Sequence, residues 1–228
     1  MQKIRIFSVV NEYKKKYRSI SGTIITVEGL IGVGKSTIGK KLECFLNNIG
    51  LNCKFFPEFI CKPILNQFIS NMNKYAYSFQ MNMLLQRINI YNNAYEFSCK
   101  SGGISIVDRS LTGDYTFAEM MFEKGNISEE EFRVYKEVLV SLKKEEPDII
   151  LYLQCLPEIA YKRMKSRGIE SEISGYSIEY FRELNEQYTN NIKKLNHPVL
   201  TIDWNEDKNL NDEDIIKVLD IIKNYLFY

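Results

Sequence analysis

Gly29-Leu30-Ile31-Gly32-Val33-Gly34-Lys35-Ser36-Thr37 fits the phosphate-cradling pattern G-x-x-x-x-G-K-[ST] without a mismatch. The residue types explain the chemistry. Glycines at 29, 32 and 34 admit positive φ, so successive N–H groups can turn inward around phosphate oxygens with no side chain in the way. A helix opening at this point directs its partly positive end at the anion. Lys35 is placed to reach the outer phosphates, the Ser36 hydroxyl to join the shell of a Mg2+ ion, and Thr37 completes the motif.

Elsewhere the chemistry must come from carboxylates, Lys and Arg. The single histidine, His197, supports neither a His-rich metal site nor a Ser/His/Asp triad. Glu58, after Pro57, could orient a hydroxyl and accept its proton, although a Glu in this position is also an ordinary solvated loop residue. Asp108 could hold Mg2+ directly or through water, or could cap the next helix. Arg163 and Arg167, one helical turn apart, could stabilise charge on a transferring phosphoryl group or merely complement a helix C-terminus. Gln80 could make a two-point amide contact with a base edge. Arg87 projects from nearly the same helix face, about two turns on, and with Asp114 could add a donor and an acceptor. Asp114 could equally be the ion-pair partner of Arg87 with no ligand between them.

The elements that must position these residues are legible in the hydrophobic pattern. Apolar runs at 23–28, 52–56, 104–107, 148–153 and 199–202 read as strands. Helical spacing follows the glycine-rich loop as far as Gly50. It recurs from about 64 to 100, with a possible break near Asn71-Met72-Asn73, and again after the capping box Ser128-Glu129-Glu130-Glu131. Further helices start at Pro157, carry Phe181 to Leu195, and close the chain from about Asn211. Strands alternating with helices predict an α/β fold with a five-stranded parallel sheet covered on both faces. In such sheets ligands bind beyond the carboxyl ends of the strands, where the loop, Glu58, Asp108-Arg109 and the helix after Leu153 all fall.

The whole chain narrows the function classes. Its 228 residues suit one domain over 22–228, preceded by an N-terminal extension over 1–21 expected to be disordered or loosely docked. A formal net charge of +1 gives no electrostatic argument for nucleic acid or an acidic membrane. No apolar run approaches the roughly 20 residues that span a bilayer. Five cysteines in no C-x-x-C pair, without a secretory signal, indicate reduced thiols and a cytoplasmic protein. The basic extension faintly resembles an organelle transit peptide, which makes a mitochondrial location the alternative.

Together these residues resemble the deoxynucleoside kinase family, which includes the deoxycytidine, deoxyguanosine and deoxyadenosine kinases. The resemblance runs from about Thr23 to position 207. It rests on Glu28-Gly29 with the loop to Thr37, Pro57-Glu58, Ser78-Phe79-Gln80, Asp108-Arg109-Ser110, Phe117-Ala118, Pro147-Asp148, Arg163 to Gly168, and Asn205-Glu206-Asp207. It implies a P-loop kinase fold with an arginine-bearing lid, and phosphoryl transfer from ATP, with Mg2+, to the 5′-hydroxyl of a deoxynucleoside. Glu58 matches the family's general base and Arg109 the arginine that steadies it, while Lys35 and Arg163 complete the catalytic set. Gly29, Gly32, Gly34, Lys35, Ser36, Thr37, Arg163, Arg167 and Asp207 correspond to the donor site, and Ser36, Asp108 and Glu58 to the metal neighbourhood. Glu58, Gln80, Met83, Arg87, Arg109, Asp114 and Glu172 correspond to the substrate site, with Glu172 on the sugar 3′-hydroxyl.

An Arg and an Asp at positions 87 and 114 match members that accept deoxycytidine or purine deoxynucleosides rather than thymidine, and the length of 108–118 leans toward a purine. Family members are usually dimers, so a homodimer is expected, with 75–98 or 128–143 as its surface. Three positions depart from the pattern: Ile69 stands for a family tyrosine on the 3′-hydroxyl, Ile169 for a further lid arginine, and Lys208 for an aromatic near the donor base. Two other readings compete. A thymidylate-type nucleoside monophosphate kinase needs a cation for its acceptor phosphate, whereas Phe55-Phe56-Pro57 precede Glu58. A non-catalytic scaffold retaining the fold would be expected to have lost Lys35 or Glu58, and this chain has both.

Overall fold

The apolar runs form five strands, β1 (Ile24–Glu28), β2 (Cys53–Phe56), β3 (Ile104–Asp108), β4 (Ile149–Gln154) and β5 (Val199–Asp203), in one parallel sheet of order β2-β3-β1-β4-β5. The structure, a computed structural model, describes residues 11–142, 146–206 and 210–227. Every residue of β1 and β3 is buried, as expected of parallel strands covered on both sides. The register sets Val27 beside Asp108 and Glu28 beside Tyr152. The carboxyl ends of β1 and β3 therefore finish within one residue of each other, each on a carboxylate, while β4 runs two residues further to Gln154.

The helices are α1 (residues 11–17), α2 (Lys35–Asn48), α3 (Lys62–Ser70), α4 (Met72–Ser101), α5 (Leu111–Glu123), α6 (Glu129–Leu142), α7 (Pro157–Ser166), α8 (Glu170–Gly175), α9 (Ile178–Lys193) and α10 (Asp212–Phe227). Strand alternation sorts them between the faces of the sheet. Phe55 packs on Gly39 of α2, where any added Cβ would overlap the ring. Its neighbour Phe56 packs instead with Val107 against Tyr91 and Ala94 of α4.

The apolar stretch from 64 to 100 is two helices. Asn71 separates them and accepts from Lys74 N at 3.1 Å as the cap of α4. The capping box holds: Ser128 N donates to Glu131 Oε2 at 2.9 Å, and Glu131 N to Ser128 Oγ at 3.3 Å. Helix α5 lacks the single apolar stripe that makes a helix readable, because it is buried on most sides, including at Gly113, Asp114 and Thr116.

The described part of the expected loose extension is packed. Tyr17 and Ile20 are fully buried, and Tyr17 donates to Asp220 Oδ1 of α10 at 2.6 Å. Lys16 pairs with the same carboxylate at 2.7 Å. Among the described residues no helix is long and apolar enough to cross a membrane.

Candidate active site

The glycine-rich loop joins β1 to α2. Gly29, Gly32 and Gly34 have φ of 143°, 76° and 108°, in the region that L side chains rarely adopt. Gly32 is fixed by space as well: a Cβ there would stand 2.8 Å from Ala160 O and Met164 N, so the loop closes directly onto α7. Lys35, the first residue of α2, folds back and donates to Leu30 O at 2.8 Å and Gly29 O at 3.2 Å. Burial, and then the nearby Arg109 cation, bring its pKa down to about 7.

Ser36 Oγ donates to Asp108 Oδ2 at 2.5 Å, while Asp108 Oδ1 is buried without a hydrogen-bond partner. A hydroxyl and a carboxylate with one unmatched oxygen are the hard donors Mg2+ takes, and this ion keeps several waters rather than a full protein cage. Asp108 does not cap the next helix. Ser110 does, accepting from Thr112 N at 3.1 Å and Gly113 N at 3.3 Å.

Around the ends of β1, β2 and β3 lies a largely buried ionic cluster. Glu28, only 1% exposed, accepts from Ser110 N at 2.5 Å, Ser110 Oγ at 2.7 Å and Tyr188 OH at 3.0 Å. Arg109 lies between Glu28 and Glu58, at 3.8 Å and 3.5 Å, donates to Gly29 O at 2.9 Å and to the Tyr188 hydroxyl, and stacks 4.8 Å over the Phe117 ring. Its φ of +71° is costly for a residue with a Cβ, of order 1–3 kcal/mol, and turns the chain sharply from β3 into α5. Glu58 Oε1 is held by Arg87 as well as Arg109. Burial pushes the Glu58 pKa up, but Arg87, Arg109 and Lys35 together outweigh it and hold it down at about 2. The carboxylate is thus ionised across the physiological range and able to accept a proton. The third expected metal neighbour therefore gives at least one of its oxygens to guanidinium groups.

The sequence around Glu58 offered no cation, yet two stand beside it. Both come from distant elements, and both are matched by acids: Arg87 by Glu58 and Asp114, Arg109 by Glu28 and Glu58. The expected absence of a cation beside Glu58 therefore does not hold, although the charges of both arginines are matched by acids.

The cavity beyond the strand ends has a volume of about 380 Å3, within the small-molecule range. Its wall includes Lys35, Ser36, Thr37, Gly32 and Gly34 at one end and Glu58, Gln80, Met83, Arg87 and Arg109 at the other. Gln80 Oε1 and Arg87 Nε are both buried without partners. Such orphaned groups are rare in a protein interior unless a ligand or water meets them. Arg163, Arg167 and Glu172 close the side formed by α7 and α8. Arg163 donates to Trp204 O at 2.8 Å and Glu206 O at 2.8 Å, clamping the segment after β5, and Arg167 pairs with Glu172.

Two expected site residues sit elsewhere. Asp114 is not at the cavity wall: it is fully buried, with one oxygen on Arg87 and the other accepting from Tyr135 OH. Gly29 shapes the loop from behind, where a Cβ would stand 2.8 Å from Leu153 O. Asp207 and Lys208 lie outside the described residues. Ile69 lies against Gly175. Tyr176, the next residue, lines the cavity together with Tyr180. These tyrosines and Tyr188 went unnoticed because an aromatic at helical spacing reads as core. Their only signal was three tyrosines at intervals of four and eight, Tyr176 just before α9 and Tyr180 and Tyr188 within it.

Comparison with known proteins bears on the family and the fold. A family model described as deoxynucleoside kinase matches residues 25–226. The chain is 29% identical to a deoxyadenosine/deoxycytidine kinase of Bacillus subtilis, over 89% of this chain and 92% of that protein. It is 31% identical to a deoxyguanosine kinase of Dictyostelium discoideum, over 88% of this chain and 69% of the relative. The fold matches that of a deoxyadenosine kinase from M. mycoides, solved with bound dATP, at a TM-score of 0.72 and 23% identity, covering 88% of this chain and 99% of the other.

Proposed function

Because the chain belongs to the deoxynucleoside kinase family, we propose that it transfers the terminal phosphoryl group of ATP to the 5′-hydroxyl of a deoxynucleoside, as a homodimer. A purine is the first choice of base, ahead of deoxycytidine and then thymidine. The observation that carries this reading is a carboxylate, Glu58, kept ionised by two arginines and sharing one cavity with a phosphate loop.

In this reading Glu58 accepts the hydrogen bond of the 5′-hydroxyl and takes its proton as the phosphoryl group transfers. A loose transition state asks little of the base, so orientation is its larger service. Arg109 fixes the Glu58 carboxylate and lies ready to steady the 5′-oxygen. Loop N–H groups and Lys35 hold the donor phosphates, with Arg167 and Arg163 contributing positive charge from the lid. Ser36 and Asp108 would hold Mg2+, which when bound neutralises charge on the donor phosphates. Glu172 and Tyr176 face the sugar. Gln80 reads the amino group and ring nitrogen of the base. Arg87 lines the same wall as Gln80, and its guanidinium can donate to the N7 acceptor of a purine, where a pyrimidine offers only carbon. Relatives named as deoxyadenosine and deoxyguanosine kinases support the same preference.

The test is product formation with Mg-ATP and each of the four deoxynucleosides, beside thymidine monophosphate. Deoxynucleoside 5′-monophosphates are expected, purines leading. Conversion of thymidine monophosphate alone would transfer the assignment to the thymidylate-type reading, and conversion of nothing with any triphosphate donor to the scaffold reading. Glu58→Gln is expected to lower kcat at least a hundredfold, the scale of general-base catalysis, with nucleotide binding kept. Near-normal turnover by that variant removes Glu58 from the base role.

A further inference from the structure

Asp114 was expected to touch the substrate and instead stands behind Arg87, with its second oxygen on Tyr135. The bonds form one chain through four elements. Tyr135 of α6 donates to Asp114 of α5, Asp114 accepts from Arg87 of α4, and Arg87 donates to Glu58 after β2. Tyr135 and Asp114 are wholly buried, and neither belongs to the cavity wall. The tyrosine ring has little freedom: it stacks on Phe132 at 6.0 Å, and Phe132 stacks on Phe122 at 4.5 Å.

We propose that Tyr135 is a positioning residue that sets base discrimination by fixing Asp114, and through it the direction in which the Arg87 guanidinium faces the cavity. This rests on the deoxynucleoside kinase reading and adds to it a determinant that touches no substrate. The physical reason is saturation. A fully buried carboxylate with both oxygens engaged has one orientation, and the guanidinium it grips has one as well. Removing the Tyr135 hydroxyl leaves a buried oxygen unmatched, a penalty Asp114 can relieve by rotating or by taking a proton. Either response removes one of the two carboxylates that hold Arg87, leaving Glu58 alone to orient it.

Titration gives a second signature. The groups facing Asp114 are Arg87 from α4, Tyr135 from α6 and Glu58 from the loop after β2, with Tyr188 of α9 acting on Arg87 and Tyr115 of α5 on Tyr135. Burial raises the Asp114 pKa, while Arg87 and the Tyr135 hydroxyl oppose the rise. Loss of that hydroxyl moves the pKa higher still. The Asp114–Arg87 pair is intact above this pKa and fails as pH falls through it, so the acid limb of the activity profile moves to higher pH.

The experiment measures kcat and KM for all four deoxynucleosides across pH with wild type, Tyr135→Phe, Asp114→Asn and the double variant, with thermal unfolding of each. In Tyr135→Phe, the kcat/KM ratio between best and worst substrate is expected to shrink about tenfold, mainly through KM, and the acid limb to move upward. On the Asp114→Asn background, Tyr135→Phe is expected to add no further narrowing, because the chain is already broken. An equal loss on all four substrates, an unmoved acid limb, or independent additive effects of the two changes would each overturn the proposal. Asp114→Asn tests the same chain from its middle should Tyr135→Phe fold poorly; an undiminished ratio in that variant overturns it as well. Wild-type inactivity on every deoxynucleoside would instead remove the kinase reading beneath it, an outcome visible before any variant is compared.

Discussion

Lys35 illustrates how much of a residue's role its surroundings decide. The loop motif assigns it to phosphates, but in the fold it lies buried against two loop carbonyls beside Arg109, with its pKa brought down to about 7. A bound triphosphate supplies the negative charge that returns that pKa upward. Nucleotide binding near pH 7.5 is therefore expected to take up a fraction of a proton. Titration calorimetry in buffers of different ionisation enthalpy checks this: the apparent binding enthalpy should vary with the buffer in the sense of uptake, and the variation should vanish in Lys35→Met. A buffer-independent enthalpy in the wild type would contradict the assignment. At this scale, Lys35, Ser36, Glu58 and Arg109 were legible from their neighbours in sequence. Asp114 was not, because whether a carboxylate faces a ligand or the back of an arginine depends on a tyrosine 21 positions away.

Helix α5 connects the site's chemistry to its scaffold. It begins at the Ser110 cap, passes Gly113 against Glu28, and presents Asp114 to Arg87 and Phe117 to Arg109. Its close approach to β1 depends on Gly113 having no side chain, since an added Cβ would overlap the Glu28 carboxylate. Glu28 cannot easily move aside, because Ser110 and Tyr188 hold both of its oxygens. Gly113→Ala is expected to cost about 1–3 kcal/mol in stability, as overpacking does, and to lower turnover by displacing Glu28 and with it Arg109. Thermal unfolding and the kinase assay measure both effects, and an unchanged Tm would mean that α5 can slide away freely. The strands were legible as short apolar runs covered on both sides, and α2, α6 and α9 because one buried face gives each a clear period. α5 was hidden by being buried nearly all round, and α8 by being only six residues long.

At the scale of the molecule, apolar residues remain outside. Leu85 of α4 and Val134, Val140 and Leu142 of α6 are exposed, Val140 by 74%. The two helices pack beside one another, which accords with the proposed homodimer. Sedimentation is expected to give a dimer for the wild type and a monomer for Val140→Asp. A dimeric variant would move the interface elsewhere, and a monomeric wild type would end the proposal. The first described residues belong to the domain rather than trailing from it, since Tyr17 and Ile20 fill the core beside α10. That docking was illegible because the basic residues around Tyr17 dominate the local pattern while its partner, Asp220, lies some two hundred positions away. The sequence by itself determined the phosphate loop, the five strands and their α/β alternation, because these follow from short-range demands: glycine where φ is positive, apolar residues where a strand is covered twice. Tertiary structure alone decided the strand order and which acid meets which arginine. Glu28 with Tyr188, and Glu58 with Arg87, are joined by helices crossing the sheet, and the burial of whole faces, rather than any spacing along the chain, chooses such partners.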